Sequence, residues 1–253
     1  MALQTLSVLV TRPQGQASSL LADIEAAGGK ASHCPVIDIV ELNDADQLQH
    51  CKQTIMALDE FQHVIFISTN AVHYGMEWIH QYWPQLPVDI HWHGIGKKTV
   101  AQLIEQGVPC SPYALDGAMN SEALLQTKSL QQLAQQKVLI IRGVGGRDYL
   151  AEQLTQRGAD VSYAECYRRV LPALADGELV ALFKQQAINT VCLNSGESVT
   201  NFYQLMGDNK ISDITIVVPG DRVAAIAKQL GFSSIAIADN ASDQSMLKAL
   251  YNL

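Results

Sequence analysis

The sequence predicts an α/β protein made of two similar doubly wound units, each with a mostly parallel sheet. Three observations support this prediction. Short apolar runs alternate with amphipathic stretches of helical length, and the second half of the chain repeats the motif order of the first. The length of 253 residues also exceeds one average domain of about 150 residues. Length alone leaves a single large α/β domain open as the alternative.

Seven predicted strands are each followed by a predicted helix. In chain order the pairs are Ser7–Thr11 with Ala17–Ala27, Val64–Ser68 with Ala71–Tyr82, Ile90–Ile95 with Thr99–Gln106, Val138–Ile141 with Tyr149–Gln156, Thr190–Leu193 with Ser198–Met206, Ile214–Val218 with Arg222–Leu230, and Ile235–Ala238 with Gln244–Leu250. Such steady alternation is typical of βαβ units and predicts parallel strand pairing.

The chain also repeats itself, because three blocks of its first half align with its second half in the same order. The aligned blocks are Val8–Val40 with Val138–Val170, Ile67–Asn70 with Leu193–Gly196, and Asp89–Ser121 with Asp213–Ser245. Any two βα units would share a strand, a turn glycine and a leucine-rich helix. Three motifs in one order at nearly one spacing favour a true repeat.

Charge and cysteine content limit the partners and the compartment. The chain has 17 Lys and Arg against 25 Asp and Glu, a formal net charge of −8. This balance disfavours nucleic acid and anionic membrane, and by itself it also argues against a polyanionic ligand. The five cysteines are scattered, so neither a disulfide framework nor a zinc site is predicted. With no signal-peptide pattern and no apolar run of membrane-spanning length, we expect a cytoplasmic protein.

Polar and glycine-rich segments follow six of the predicted strands. They are Thr11–Pro13, Ser68–Ala71, Gly94–Thr99, Arg142–Arg147, Asn194–Ser198 and Pro219–Arg222. Ligands bind at the carboxyl ends of parallel strands, where the N–H groups of helix N-termini favour carboxylates and phosphates. Any one segment could be a helix cap alone. Six of them at equivalent strand ends predict one composite anion site.

Other chemistries are disfavoured by the residues present. Gly143–Gly145 opens a dinucleotide-binding pattern, but Asp148 stands where that pattern requires glycine or alanine. His91 and His93 have no Cys or carboxylate cluster near them in the sequence, so a metal site is not expected. The sequence contains neither a phosphate loop nor a nucleophile elbow. No cofactor is predicted.

Six motifs between Val8 and Arg169 point to one known family. They are Val8–Pro13, Phe66–Val72, Gly94–Thr99, Ser121–Leu125, Val138–Gly143 followed by Gly146-Arg147, and Cys166–Arg169. In order and spacing they resemble the uroporphyrinogen-III synthase family.

This resemblance implies two flavodoxin-like α/β domains, joined by a two-stranded linker and separated by a cleft. The second domain would be an insertion. Residues 1–34 would fold with residues 173–253, and residues 35–172 would form the other domain, with linker strands in Pro35–Val40 and Glu165–Val170.

The resemblance also implies an activity. Uroporphyrinogen-III synthases are lyases of haem and other tetrapyrrole (porphyrin) biosynthesis. They cyclise hydroxymethylbilane with loss of water and inversion of ring D through a spirocyclic intermediate. The implied partner is therefore a small linear tetrapyrrole with eight carboxylates, bound by a monomer without a cofactor or a metal.

Most of the expected site residues lie in the matching motifs, and Gly145, Ser195, Gly196 and Arg222 lie in the segments that follow predicted strands. Tyr167 is the candidate general acid for the departing hydroxyl, and the alternative is a tyrosine that only packs or orients the substrate. The candidate substrate-binding residues are Arg12, Ser68, Thr69, Asn70, Ala71, Lys98, Thr99, Ser121, Arg142, Gly143, Gly145, Gly146, Arg147, Ser195, Gly196 and Arg222. Arginine can hold carboxylates bidentately, Lys98 offers a further cation, and the others offer hydroxyl, amide or backbone N–H groups.

Two alternative functions stay open at this point. A two-domain small-anion binding protein without catalysis would show the same pattern, whereas a nucleotide-dependent transferase would need the missing phosphate loop. The net charge of −8 does not exclude a polyanionic ligand, because helix N-termini and a few arginines can bind carboxylates locally.

Overall fold

The computed structural model describes residues 3–110, 121–175, 177–207 and 214–253. The chain folds into two compact units. Unit 1 consists of Met1–Asp38 and Val170–Leu253, and unit 2 consists of Ile39–Arg169. The chain therefore enters unit 2 once and leaves it once, between two parts of unit 1. No helix among the described residues is long and apolar enough to cross a membrane.

Unit 1 alternates strands and helices. Its elements are β1 (Ser7–Val10), α1 (Ser18–Ala26), β2 (Lys30–His33), α7 (Glu178–Gln186), β8 (Thr190–Cys192), α8 (Gly196–Met206), β9 (Thr215–Pro219), α9 (Gly220–Gln229), β10 (Ile235–Ala238) and α10 (Asp243–Leu250). The sheet order is β10-β9-β8-β1-β2, and all four pairings are parallel. Numbered within the unit, this is the 2-1-3-4-5 order of flavodoxin-like sheets.

Unit 2 contains the remaining elements. They are β3 (Asp38–Glu41), α2 (Ala45–Met56), β4 (His63–Phe66), α3 (Thr69–Tyr82), β5 (His91–Gly94), α4 (Lys97–Glu105), α5 (Ser121–Leu124), β6 (Lys137–Gly143), α6 (Tyr149–Gln156) and β7 (Asp160–Val170), with 3-10 turns at Leu58–Glu60 and Lys128–Leu130. The sheet order is β3-β7-β6-β4-β5, with β6 pairing in parallel to β4 and β7, and β4 to β5.

The sequence repeat reappears in the two sheets. Strands β6, β7, β4 and β5 of unit 2 occupy the places that β1, β2, β8 and β9 occupy in unit 1. In both units the strand order reverses beside the first strand of the repeat, β1 or β6. Ligands of doubly wound sheets bind outside the carboxyl ends of the strands at this switch point. In the third aligned block, residues 111–120 and Asp213 lie outside the described residues.

Apolar side chains fill both faces of each sheet. The four residues of β1 and the four of β4 are fully buried, as parallel strands between helices require. In unit 1 this core includes Val8, Val10, Leu20 and Ile24. The predicted α/β fold with two parallel sheets is confirmed.

The structure also contains elements that the predicted strand and helix pairs leave out. Helix α2 is one, because its sequence is mostly polar and only Cys51 and Ile55 are buried. Strand β7 is another. It runs over 11 residues, Asp160–Val170, so the predicted linker segment from Glu165 is only its second half. Its neighbour β3 begins at Asp38, so the two strands at which the chain passes between the units are paired.

Candidate functional site

A pocket lies at the switch point of unit 1, beyond the carboxyl ends of β1 and β8. Its volume is about 250 Å³. The lining residues are Thr11, Arg12, Pro13, Gln16, Ile37, Asn194, Ser195, Ser198 and Ala241. Two of the predicted substrate-binding residues, Arg12 and Ser195, therefore share one pocket.

The Arg12 guanidinium in this pocket is held from several sides. It forms an ion pair with Asp243, and the two side chains are only 11% and 9% exposed. Its Nη2 donates to the carbonyl of Ala241 at 2.7 Å. With its amide oxygen turned towards the guanidinium, Asn194 accepts from Arg12 at 3.0 and 3.3 Å. The pocket thus contains an arginine in a fixed orientation whose charge is balanced by a carboxylate.

Ser195 and Gly196 are both engaged in the local structure of helix α8. The Ser195 hydroxyl accepts from the backbone N–H of Ser198 at 3.0 Å, and the backbone N–H of Ser195 donates to the Ser198 hydroxyl at 2.9 Å. This capping box stabilises the start of α8. A Cβ on Gly196 would lie 2.6 Å from Cδ1 of Ile226, so glycine lets α8 pack closely on α9.

In unit 2, the candidate acid lies beside a candidate binding residue. The Tyr167 hydroxyl is 3.2 Å from Oγ of Ser68, within hydrogen-bond distance. Ser68 also caps α3, because its Oγ accepts from the backbone N–H of Ala71 at 3.1 Å. Tyr167 is 2% exposed and belongs to the hydrophobic core of unit 2, whereas Ser68 is half-buried. Ser68 is therefore the more accessible hydroxyl of the pair.

The ring of Tyr167 lies directly over Gly143. The two residues are partners across β6 and β7, next to a shift in register between Arg142 and Gly143. A Cβ on Gly143 would lie 2.5 Å from Cε2 of the Tyr167 ring. Because β6 lies between β7 and β4, only a glycine here allows the ring to extend across β6 towards Ser68.

Arg142 is buried, with 3% of the residue exposed. Its Nη1 donates to Asp148 at 3.0 Å, its Nε to the Gly143 carbonyl at 3.3 Å, and its Nη2 to the Gly145 carbonyl. Its Cζ also lies 4.7 Å from the centroid of the Tyr163 ring. The guanidinium thereby fixes the loop that follows β6, and little of it is left for a ligand.

The carboxylate of Asp148 links this loop to β7. It accepts from the Tyr163 hydroxyl at 3.0 Å, and this bond, followed by the one from Arg142, holds its pKa below the usual range. Burial, together with the same carboxylate, raises the pKa of Tyr163. At neutral pH, therefore, Asp148 stays ionised and Tyr163 keeps its proton.

Backbone N–H groups of the same loop already have acceptors. Val144 donates to the carbonyl of Tyr167 at 2.8 Å, and Gly145 donates to the Glu165 carboxylate at 2.9 Å. Gly145 and Gly146 have φ angles of +68° and +109°, which favour glycine. The Glu165 carboxylate of the protein itself therefore binds a backbone N–H group of the loop that was predicted to bind an anion.

The other predicted residues lie at helix starts or on loops. Thr69 and Asn70 open α3, and Lys98 and Thr99 open α4, where Lys98 is exposed and Thr99 is buried. Ser121 opens α5 and is half-buried. Arg147, over the Tyr149 ring, and Arg222, in the first turn of α9, are exposed cations.

The described residues include no group of three or more His, Cys, Asp or Glu side chains that could hold a metal ion. All five cysteines are buried and free of disulfides. Burial raises the pKa of Cys192 to about 12, so this thiol stays protonated.

Comparisons with known proteins give the family. A family model described as uroporphyrinogen-III synthase HemD matches residues 18–248. The chain is 31% identical over 252 residues to the uroporphyrinogen-III synthase of Escherichia coli (strain K12), which covers 97% of this chain and 100% of that protein. The chain belongs to the uroporphyrinogen-III synthase family.

Solved structures of uroporphyrinogen-III synthases have the same fold. The enzyme from Helicobacter pylori matches with a TM-score of 0.65 and 16% identity, over 98% of this chain and 99% of that one. A mutant enzyme from Thermus thermophilus matches with a TM-score of 0.61 and 15% identity, over 98% of this chain and 100% of that one.

Several residues around these sites of the uroporphyrinogen-III synthase chain were absent from the sequence-based candidates. They are Asp243, Glu165, Tyr163 and Tyr74, each of which contacts a candidate residue. Asp243 follows the last predicted strand, Ile235–Ala238, whose strand end was not among the six selected segments, and the other three do not follow a predicted strand directly. A carboxylate able to pair with each candidate arginine would have been the signal to look for.

Proposed function

We propose that the protein is a uroporphyrinogen-III synthase that cyclises hydroxymethylbilane, losing water and inverting ring D through a spirocyclic intermediate. Family membership over nearly the whole chain supports the activity and its place in tetrapyrrole biosynthesis. In the geometry, the observation that carries the proposal is the pair of hydroxyls of Tyr167 and Ser68, which lies where the intervening strand β6 ends at Gly143.

The chemistry that this site would assist is a dehydration. The C–O bond of the terminal hydroxymethyl group breaks, and the hydroxyl takes up a proton and leaves as water. The remaining pyrrole is an electrophilic azafulvenium cation, which becomes the neutral azafulvene on loss of its N–H proton, and ring D attacks it. This is a lyase reaction. A phenol with an ordinary pKa near 10 carries its proton at neutral pH, so a tyrosine can supply it.

We propose that Tyr167 is this donor and that its proton reaches the substrate at the position of Ser68. The Tyr167 hydroxyl is buried, and the more accessible Ser68 hydroxyl lies within hydrogen-bond distance of it. A serine hydroxyl can accept two hydrogen bonds and donate one. Ser68 Oγ can therefore accept from Ala71 and from Tyr167 and still donate its own hydrogen to the substrate.

For substrate binding, we propose fewer direct contacts than the sequence alone predicted. Arg147 and Arg222 are exposed and can pair with carboxylates of the substrate. Arg12 offers its one remaining N–H group, on Nη1, to the pocket of unit 1. For Arg142, burial and the ion pair with Asp148 favour a role in holding the loop over direct contact.

We also propose the discontinuous domain assignment, with residues 1–34 and 173–253 in one domain and residues 35–172 in the other. The boundaries of the two compact units, at 38/39 and 169/170, support it. A proteolytic fragment ending near Gln136 that folds independently would contradict it.

A cytoplasmic monomer without nucleic-acid or membrane partners completes the proposal. Five free cysteines suit a reducing compartment, and a net charge of −8 disfavours polyanionic surfaces. The large exposed apolar side chains of the described residues are scattered over separate elements, as in Met56, Val88 and Ile237, which suits a monomer.

The decisive test is to incubate the protein with enzymatically made hydroxymethylbilane and to separate the porphyrin isomers after oxidation. The proposal predicts predominantly the type III isomer, and a reaction without protein gives type I. Type I product alone would contradict the proposal and favour a binding protein without catalysis.

A further inference from the structure

Tyr167 has a second neighbour from the same helix that Ser68 caps. Tyr74, in the second turn of α3, stacks on the Tyr167 ring with a centroid distance of 5.3 Å and an interplanar angle of 28°. This distance lies within the range of favourable aromatic pairs. Helix α3 and its cap therefore contact Tyr167 twice, at the hydroxyl through Ser68 and at the ring through Tyr74.

Tyr74 is itself held in place by two neighbours. Its hydroxyl donates to the carbonyl of Ile39 at 3.3 Å, and the ring of His73 packs edge-on against it at 4.8 Å. Burial, with smaller contributions from Glu77, Glu41 and Tyr167, raises the pKa of Tyr74. The phenol thus keeps the hydrogen that it donates to Ile39, and its ring has a fixed orientation.

Tyr167 is buried in the core of unit 2, and two of its contacts bear on where its hydroxyl lies. Its ring extends across Gly143, where there is no Cβ to guide it, and its hydroxyl lies within hydrogen-bond distance of Ser68. Removal of the stacked Tyr74 ring would leave space into which the Tyr167 ring could tilt away from Ser68, and even a misplacement of about 1 Å can cost about 100-fold in rate.

We propose that Tyr74 is a positioning residue, which stacks on Tyr167 and thereby keeps the Tyr167 hydroxyl aligned with Ser68 for proton transfer to the substrate. This inference rests on the proposed function. It assigns Tyr74 no contact with the substrate, and its effect is exerted through Tyr167 alone.

The test compares Tyr74→Leu, which loses the stacking ring, with Tyr74→Phe, which keeps it. Tyr74→Leu should lower kcat by about 10-fold or more. It should change KM little and raise the share of type I product, because azafulvene formation slows relative to uncatalysed closure. Tyr74→Phe should retain most of the wild-type kcat. Tyr82→Leu, which removes a ring stacked on Trp78 from the same helix, is the matched control and should retain wild-type kcat.

A double-mutant cycle separates positioning from stability. In a Tyr167→Phe background there is no hydroxyl to align, so adding Tyr74→Leu should change kcat by less than about twofold. An equal loss in both backgrounds, or equal kcat for all Tyr74 variants of an enzyme that still makes type III product, would overturn the positioning role. Only type I product from the wild-type protein would instead overturn the proposed function.

Discussion

Tyr167 and Ser68 lie 99 positions apart in the chain, yet their hydroxyl oxygens are 3.2 Å apart. Tyr167 lies on β7 and Ser68 follows β4, and β6 separates these two strands in the sheet. The contact exists because the intervening strand ends in Gly143, over which the tyrosine ring extends. The candidate site therefore depends on the two hydroxyl side chains and on the absence of a side chain at Gly143.

Removing either hydroxyl should slow the reaction. Tyr167→Phe deletes the proton donor and keeps the ring, so we expect kcat to fall by about 10²-fold or more with little change in KM. Ser68→Ala should lower kcat and also destabilise α3 by about 1 kcal/mol, because its cap is lost. Steady-state kinetics with hydroxymethylbilane and urea unfolding would measure both. Unchanged kcat in Tyr167→Phe would remove its role as an acid.

A methyl group at Gly143 should displace Tyr167. In Gly143→Ala the new Cβ would lie 2.5 Å from the ring, so we expect a loss of activity and a destabilisation of about 1–3 kcal/mol from overpacking. Gly107→Ala is the control. Its φ of +77° makes alanine costly by about 1–2 kcal/mol, but there is open space around it and kcat should be retained. Equal kcat in the two variants would contradict the role of Gly143.

The buried ion pair of unit 1 should be sensitive to the loss of one partner. Asp243→Asn leaves the Arg12 charge buried, and we expect the free energy of unfolding to fall by about 3 kcal/mol. Lys248→Met is the control, because it breaks the exposed pair with Asp239 and should cost less than about 1 kcal/mol. Urea unfolding at neutral pH measures both effects. Comparable losses would show that the pair contributes no more than a surface pair.

Acid should destabilise unit 2 through histidines at the amino ends of β4 and β5. The Nε2 of His63 donates to Gln136 at 2.8 Å, and its Nδ1 lies 3.1 Å from Nε2 of His93. Burial, followed by the neighbouring His63 and His91, lowers the pKa of His93 from 6.5 to about 3. Burial is also the main cause of the lowered pKa of His63.

The sign of this effect follows from the direction of the shift. Below pH 6.5 the unfolded chain protonates His93 and the folded protein does not, so stability is lost as the pH falls from 6.5 towards 3, by roughly 1 kcal/mol per pH unit. His93→Gln should reduce this pH dependence between pH 7 and pH 5. His50→Gln, at an exposed position on α2, should leave it unchanged. Urea unfolding at pH 7 and pH 5 tests this. The prediction would be contradicted if the free energy of unfolding changed equally between the two pH values in wild type and in His93→Gln.

Salt should weaken substrate binding only modestly. Arg12 and Arg142 are paired with Asp243 and Asp148, so part of the local positive charge is already balanced within the protein. We expect KM to rise by less than about threefold between low and physiological ionic strength. A steep rise in KM would mean that the substrate contacts further cations, besides Arg147 and Arg222, that are not paired with a carboxylate of the protein.

The sequence predicted the sheets better than the contacts around the sites. Apolar runs such as Val138–Ile141 mark buried parallel strands, because such strands are covered on both faces. Helix α2 was missed because its sequence is mostly polar and only Cys51 and Ile55 are buried. Its existence depends on packing against the rest of unit 2.

The candidate arginines show where sequence reasoning stops. Arg142 follows the predicted strand Val138–Ile141 and precedes a glycine-rich loop, which indicates a ligand cation, yet Asp148 and two carbonyls bind it. Arg12 meets Asp243, which belongs to the last helix of the chain. A pairing over such a distance is fixed by the topology of the sheet and leaves no local signal.

The pairing of β1 with β8 has a consequence for biosynthesis. Val8 lies opposite Thr190 in the central ladder of unit 1. A ribosome makes all of Ile39–Arg169 before it reaches β8, so the strands of unit 2 are complete while β1 still has no partner on that side. The amino-terminal strand and helix must therefore stay unaggregated until the end of translation. Closing this long loop should be the slow step of folding for the whole chain.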